Sequence, residues 1–235
     1  MRHSLLTAAL VAVFVAVLAA GGFLWATRPD DRPTNLTPLS VVGAAEAQTA
    51  GKAVGETTPA EVQDMVLGSE DAPLTVIEYA SFTCPHCRTW HDTVWSDFKA
   101  NYIDAGKVRF VYREVYFDRF GLWAALVARC GGPMKYFGIV DMLYDTQREW
   151  LGDGQDDVVA ANLTRIGLKA GMSADKVDAC IKDGAKAAAM VSAYQANATA
   201  DGVEATPTFF IGGEKVAGAI SYADFTRIVD ARLGG

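Results

Sequence analysis

Cys84-Pro85-His86-Cys87 places two thiols two residues apart, directly after an apolar run, where they can alternate between a dithiol and a disulfide within one helical turn. The chemistry this predicts is thiol–disulfide exchange. Leu74 to Ala80 is rich in β-branched and aromatic residues and reads as a buried strand, while Arg88 to Phe98 carries apolar residues at helical spacing. Cys84 therefore falls where a strand hands over to a helix. There the unpaired N–H groups and the macrodipole favour an anion, so Cys84 is expected to ionise below the ordinary thiol value of about 8.5. His86, when protonated, adds positive charge near the sulfur. Pro85 suits the first helical turn because its missing N–H would go unpaired there anyway. Stabilising the reduced thiolate makes the disulfide form a stronger oxidant.

The same cysteines with His91 spell C-x2-C-x3-H, half of a zinc site. A structural zinc site closes with four ligands, and the other cysteines, Cys130 and Cys180, are isolated residues in a different segment, so no metal is expected. Glu78 lies six residues before Cys84 on the apolar strand. A carboxylate there is costly unless paired or neutralised, and burial raises its pKa, which suits a group that moves protons. The alternative is a strand-edge glutamate facing solvent.

More than a hundred residues downstream, Ala205 to Gly213 runs from Thr206-Pro207 into an aromatic strand and a glycine turn, and Glu214-Lys215-Val216 completes a hairpin. Ser221 to Val229 has a serine cap signal and helical periodicity, as a last helix covering the sheet.

These motifs together resemble the DsbA-type thioredoxin-fold oxidoreductases, from about Asp64 to the C-terminus, and the four-cysteine pattern is similar to that of alphaproteobacterial members. The resemblance implies an α/β thioredoxin-like fold with an inserted α-helical domain. It makes Cys84 the exposed nucleophile and Cys87 the buried resolving thiol, and Pro85-His86 matches the dipeptide of strongly oxidising members. It makes Glu78 the buried acid that exchanges protons with Cys87. It makes Pro207 the cis proline packed against the disulfide, on a loop that pairs with an extended substrate chain, and Thr206 the residue that tunes potential and release. The substrates implied are unfolded or partly folded exported proteins containing cysteine. A DsbB-like membrane quinone reductase is the implied partner for reoxidation, and the chain is expected to act as a monomer. No flavin, metal or nucleotide motif appears: Gly152-Asp153-Gly154 and Gly212-Gly213 are turn signals, so no cofactor is expected.

The 235 residues, 51% hydrophobic and 21% charged, suffice for one sizeable core, and the net charge of −7 argues against nucleic acid as a partner. Residues 1–27, nearly free of charge after Arg2, read as an export signal, either cleaved or kept as a signal anchor. This predicts a periplasmic location, with a tether to the inner membrane if the segment is kept. Residues 28–60 read as a flexible linker, with a short helix over 59–65 capped by Thr58. The thioredoxin-like domain is expected in two parts, 61–119 and 202–235, around a helical insertion at 120–201 with helices over 121–130, 134–149, 174–180 and 185–200. In the related family this insertion is a lid whose apolar groove wall Tyr136, Phe137, Tyr144 and Trp150 would line, although their helical spacing favours a core role. Cys130 and Cys180 both fall inside it. In an oxidising compartment a structural disulfide is the natural reading, with free thiols or a second redox pair as alternatives.

Two further readings keep the same motif. A reductase or isomerase would hold the pair reduced, and a non-enzymatic tethered chaperone or zinc module would not need Cys84 at all.

Overall fold

The computed structural model describes residues 62–234. The apolar N-terminal run and the 28–60 stretch, with the signal, anchor and linker readings attached to them, lie outside the described residues. Among the described residues no helix is long and apolar enough to cross a membrane.

Five strands form one sheet in the order β1-β3-β2-β4-β5: β1 (Met65–Leu67), β2 (Leu74–Ala80), β3 (Val108–Glu114), β4 (Thr208–Ile211) and β5 (Glu214–Ala217). β2 lies parallel to β3, with Glu78 opposite Tyr112, and the other three pairings are antiparallel. β2 is the predicted strand, residue for residue. The helix expected over 59–65 is corrected at its described end: residues 62–64 have no regular structure and Met65 is in β1. Met65 pairs with Tyr112 and is buried, so a sheet edge outweighs the local capping signal.

One sheet face presents Val76, Phe110, Phe209 and Ile211, all fully buried. Against it lies a continuous helical rod: α1 (Pro85–Trp90), a π-helical turn (His91–Trp95), α2 (Ser96–Phe98) and a second π-helical turn (Lys99–Ile103). Trp90 sits 4.7 Å from Phe209 and Trp95 4.9 Å from Phe110 between ring centroids. Such pairs add about 1 kcal/mol each beyond the area they bury. The last helix, α9 (Tyr222–Leu233), closes this layer through Phe225, 5.2 Å from Trp90. It starts where predicted, at Ser221, whose hydroxyl accepts from the Asp224 N–H.

Six helices stand between β3 and β4: α3 (Arg119–Cys130), α4 (Pro133–Asp145), α5 (Gln147–Leu151), α6 (Asp156–Lys169), α7 (Ala174–Ile181) and α8 (Gly184–Ala200). Asp118 caps α3, accepting from the N–H groups of Phe120 and Gly121. The helix expected over 134–149 is broken at Thr146, whose φ of −111° and ψ of 23° leave the helical region, and α5 restarts beyond it. A further helix outside the four expected spans, α6, buries a stripe of Val159, Leu163, Ile166 and Gly167. Tyr136, Phe137, Tyr144 and Trp150 all lie in the core.

Two links tie this helical segment down. The Arg129 guanidinium of α3 donates to both carboxylate oxygens of Glu114 on β3, at 2.7 and 2.6 Å, and the Tyr136 hydroxyl donates to the same carboxylate at 2.7 Å. Cys130 and Cys180 form a disulfide that joins α3 to α7, with Cα atoms 6.2 Å apart. In the chain-entropy picture, closing a loop across a sequence separation of 50 contributes about 4 kcal/mol.

Candidate active site

The segment 81–84 carries the chain from the buried end of β2 to α1, and several bonds fix it. The Cys84 N–H donates to the Ser81 carbonyl at 3.1 Å, and Thr83 Oγ1 donates to Asp118 at 2.6 Å, tying the segment to the cap of α3. From α4 the Tyr144 hydroxyl donates to the Ser81 carbonyl at 3.2 Å. From α5 the buried Gln147 amide donates to the carbonyls of both Phe82 and Cys84. Gly121 lets α3 approach, since a Cβ there would meet Ser81 Oγ at 3.3 Å.

Cys84 is the N-cap of α1, with extended backbone, and Pro85 takes the first helical position. The Thr206–Pro207 peptide is cis, and the Thr206 carbonyl lies 3.5 Å from Cys84 Sγ, which donates to it. The Thr206 hydroxyl, buried and without a bond of full geometry, still lies close enough to favour a thiolate.

Both cysteines are free thiols with opposite acidities. Cys84 is lowered to about 5, chiefly because the Cys87 thiol can donate to its sulfur. Thr206 and the backbone N–H groups of Cys87 and His86 assist, against the opposing effect of burial. Cys87 is pushed far up, first by burial, then by its bond to Cys84 and by the charge of Glu78.

One expectation needs correcting. Cys84 is not freely exposed: 8% of its surface is accessible against 0% for Cys87, because the cis-proline loop and the carbonyl network close over it. His86 is exposed, and its backbone N–H is among the donors that favour a Cys84 thiolate. Pro85 is likewise exposed.

Glu78 is fully buried in the sheet face beneath the thiols, which excludes the solvent-facing alternative. Its neighbour is His91, with Nε2 3.4 Å from Glu78 Oε2, so the histidine of the C-x2-C-x3-H spacing turns to a carboxylate. Among the described residues, no group of three His, Cys, Asp or Glu side chains is arranged to hold a metal.

Sequence reasoning missed Gln147 and Asp118 altogether and read His91 only as a zinc candidate. Asp118 carried a usable signal, an Asp just before an apolar helical stretch. Gln147 carried none, because its partners are 65 and 63 residues away.

The thioredoxin family model matches residues 60–231. A Rickettsia bellii relative named a protein-disulfide oxidoreductase is 30% identical over 182 residues, covering 77% of this chain and 69% of that protein. Coverage of a similar Rickettsia conorii relative is 65%, so the chain spans about two thirds of the length of these curated relatives. Disulfide bond formation protein D of Bacillus subtilis is 23% identical over 72% of this chain and 77% of its own. Among solved structures, Wolbachia pipientis alpha-DsbA1 superposes with a TM-score of 0.68 at 30% identity, over 73% of this chain and 91% of that one.

Proposed function

The chain belongs to the thioredoxin family, among its DsbA-like protein-disulfide oxidoreductases, and from that premise we propose that it introduces disulfide bonds into exported proteins through the Cys84–Cys87 pair. The observation that carries the reading is the opposed acidity of the two thiols. A Cys84 held as thiolate near neutral pH makes the reduced enzyme the stable one, so its disulfide readily passes to a substrate.

In this reading a substrate thiolate attacks Cys84 Sγ of the oxidised enzyme, the Cys84–Cys87 bond breaks, and the electron pair leaves on Cys87. Cys87 takes up a proton, for which the buried Glu78 is the nearby acid. A second substrate thiolate then attacks the substrate sulfur of the mixed disulfide, and Cys84 leaves as a thiolate, a good leaving group at a pKa of about 5. Two electrons pass from substrate to enzyme. The cis Thr206–Pro207 loop serves as the edge along which an extended substrate backbone lies, and Thr206 adjusts how readily the mixed disulfide releases.

Return to the disulfide form needs an electron acceptor, and a DsbB-like membrane quinone reductase fits that role. The proposal includes a monomer working in the periplasm, with residues 1–27 as its export signal or its tether, and with the helical segment 120–201 as a lid beside the thioredoxin-like parts 61–119 and 202–235.

The test is the reduction potential of the Cys84–Cys87 pair, by equilibrium with glutathione buffers. A value more oxidising than about −150 mV is expected, whereas one near −250 mV or lower would make the protein a reductase.

A further inference from the structure

Beneath the thiols, the Glu78 carboxylate is fully buried and neither of its oxygens makes a hydrogen bond. Both ring nitrogens of His91 are buried and unbonded as well, and the His91 side chain is 3% exposed. A buried, half-satisfied polar pair is costly, and its persistence calls for a role. His91 opens the first π-helical turn, a distortion concentrated at functional positions, and stands one helical turn beyond Cys87 on the same face. It also lines a cleft of about 570 Å³ whose wall includes Asp92, Ser96, Lys99, Asp141 and Asp145. Asp92, Ser96 and Asp145 are exposed, so the cleft opens to solvent. The imidazole thus lies between a buried carboxylate and a cleft that opens to solvent.

We propose that His91 is the relay by which the proton exchanged at Cys87 passes between Glu78 and this cleft. The inference rests on the exchange chemistry above and gives it a proton route. When the Cys84–Cys87 bond breaks, the thiolate left on Cys87 takes the Glu78 proton, Glu78 takes the proton that the neutral His91 ring carries on one nitrogen, and the other ring nitrogen takes one from water in the cleft. Reoxidation runs the same transfers in reverse, so protons and electrons balance. The groups facing His91 suit a change of charge. Glu78 comes from β2, Tyr112 from β3 at 6.4 Å between centroids, and the Tyr144 ring of α4 stacks on the imidazole at 4.0 Å. On the cleft side, Asp141 of α4 is held in place by the Trp95 indole N–H at 2.7 Å and lines the cleft beside His91. His91 acts through Glu78 and does not touch the sulfurs.

The experiment is stopped-flow reduction of the oxidised full-length chain by dithiothreitol, across pH, in H2O and D2O, for the wild type, His91→Gln and His91→Ala. A slower wild-type rate in D2O is expected. Near neutral pH, His91→Gln should slow reduction about tenfold. Imidazole added to His91→Ala should fill the cleft and restore part of the rate. The Cys84 thiolate titration should keep its wild-type midpoint in both variants, which separates a lost relay from a disturbed site. A His91→Gln reduction rate matching the wild type, no solvent isotope effect, or no rescue by imidazole would each overturn the relay. The isotope effect needs no variant, so a misfolded mutant leaves the test intact. The direction of exchange is read separately: a reducing glutathione equilibrium overturns the oxidase reading alone.

Discussion

Gln147 donates to the carbonyl oxygen of Cys84 at 3.0 Å while the same amide nitrogen donates to that of Phe82 at 2.8 Å, so one side chain of α5 holds both ends of the segment that delivers the thiol. An amide nitrogen carries two protons, and both are used. Gln147→Leu keeps the volume and removes the donors, leaving the buried Phe82 carbonyl without this partner. The expected cost is about 2 kcal/mol, read by urea denaturation of reduced and oxidised protein. A variant within a few tenths of a kcal/mol of wild type would show that water replaces the amide there.

The acidity of Cys84 depends first on the Cys87 thiol and only then on Thr206 and the helix-terminal N–H groups. Thiolate absorbance in the ultraviolet should therefore titrate with a midpoint at about 5 in the reduced protein. In Cys87→Ala that midpoint should rise while staying below the ordinary thiol value of about 8.5, because the other donors remain. An unmoved midpoint would transfer the credit to the helix terminus.

The same acidity sets how the stability of the reduced form depends on pH. A folded-state pKa below the unfolded value contributes stability that is complete above the unfolded pKa and is lost as pH falls through the folded one. For Cys84 the window runs from about 8.5 down to about 5. Cys87 acts oppositely: its folded pKa is raised, so the reduced protein loses stability as pH rises above the unfolded thiol value. Thermal unfolding of the reduced protein relative to the oxidised one should show the reduced form gaining from pH 5 toward 8 and losing again above about 9. A difference flat with pH would contradict both shifts.

The parts of the site legible in the sequence were those written locally. The C-x2-C after an apolar strand, the Ser221 cap and the glycine turn between β4 and β5 each rest on residues a few positions apart. What stayed hidden depends on tertiary approach. Glu78 and His91 are thirteen residues apart and meet only because the helical rod packs across the sheet face. The π turn that opens at His91 inserts a residue without any local signal. The sheltering of Cys84 likewise comes from a loop more than a hundred residues away.

The disulfide between Cys130 and Cys180 joins two helices remote in sequence, and neither cysteine touches Cys84 or Cys87 in the contacts that set their acidity. Replacing both by alanine should lower stability by about 4 kcal/mol, or somewhat less if the unfolded chain keeps residual structure. The Cys84 midpoint should stay where it is. A shifted midpoint in the double variant would mean that the helical segment transmits strain to the thiols.

The Arg129–Glu114 pair is a case where removing one partner and removing both should differ in kind. The two side chains are 10% and 3% exposed, and the tyrosine hydroxyl of residue 136 also donates to the carboxylate, so Glu114 is fully served in the folded state. Arg129→Met leaves a buried carboxylate with Tyr136 as its remaining side-chain donor, and the cost should be about 3 kcal/mol or more. Adding Glu114→Gln removes the stranded charge and leaves an amide that Tyr136 still bonds. The double variant should therefore recover much of the loss, giving a coupling of 1–3 kcal/mol, of the order seen for paired buried groups. Denaturant midpoints for the four proteins of the cycle measure it. Additive single losses would mean that water, and not Arg129, satisfies Glu114 when the arginine is gone.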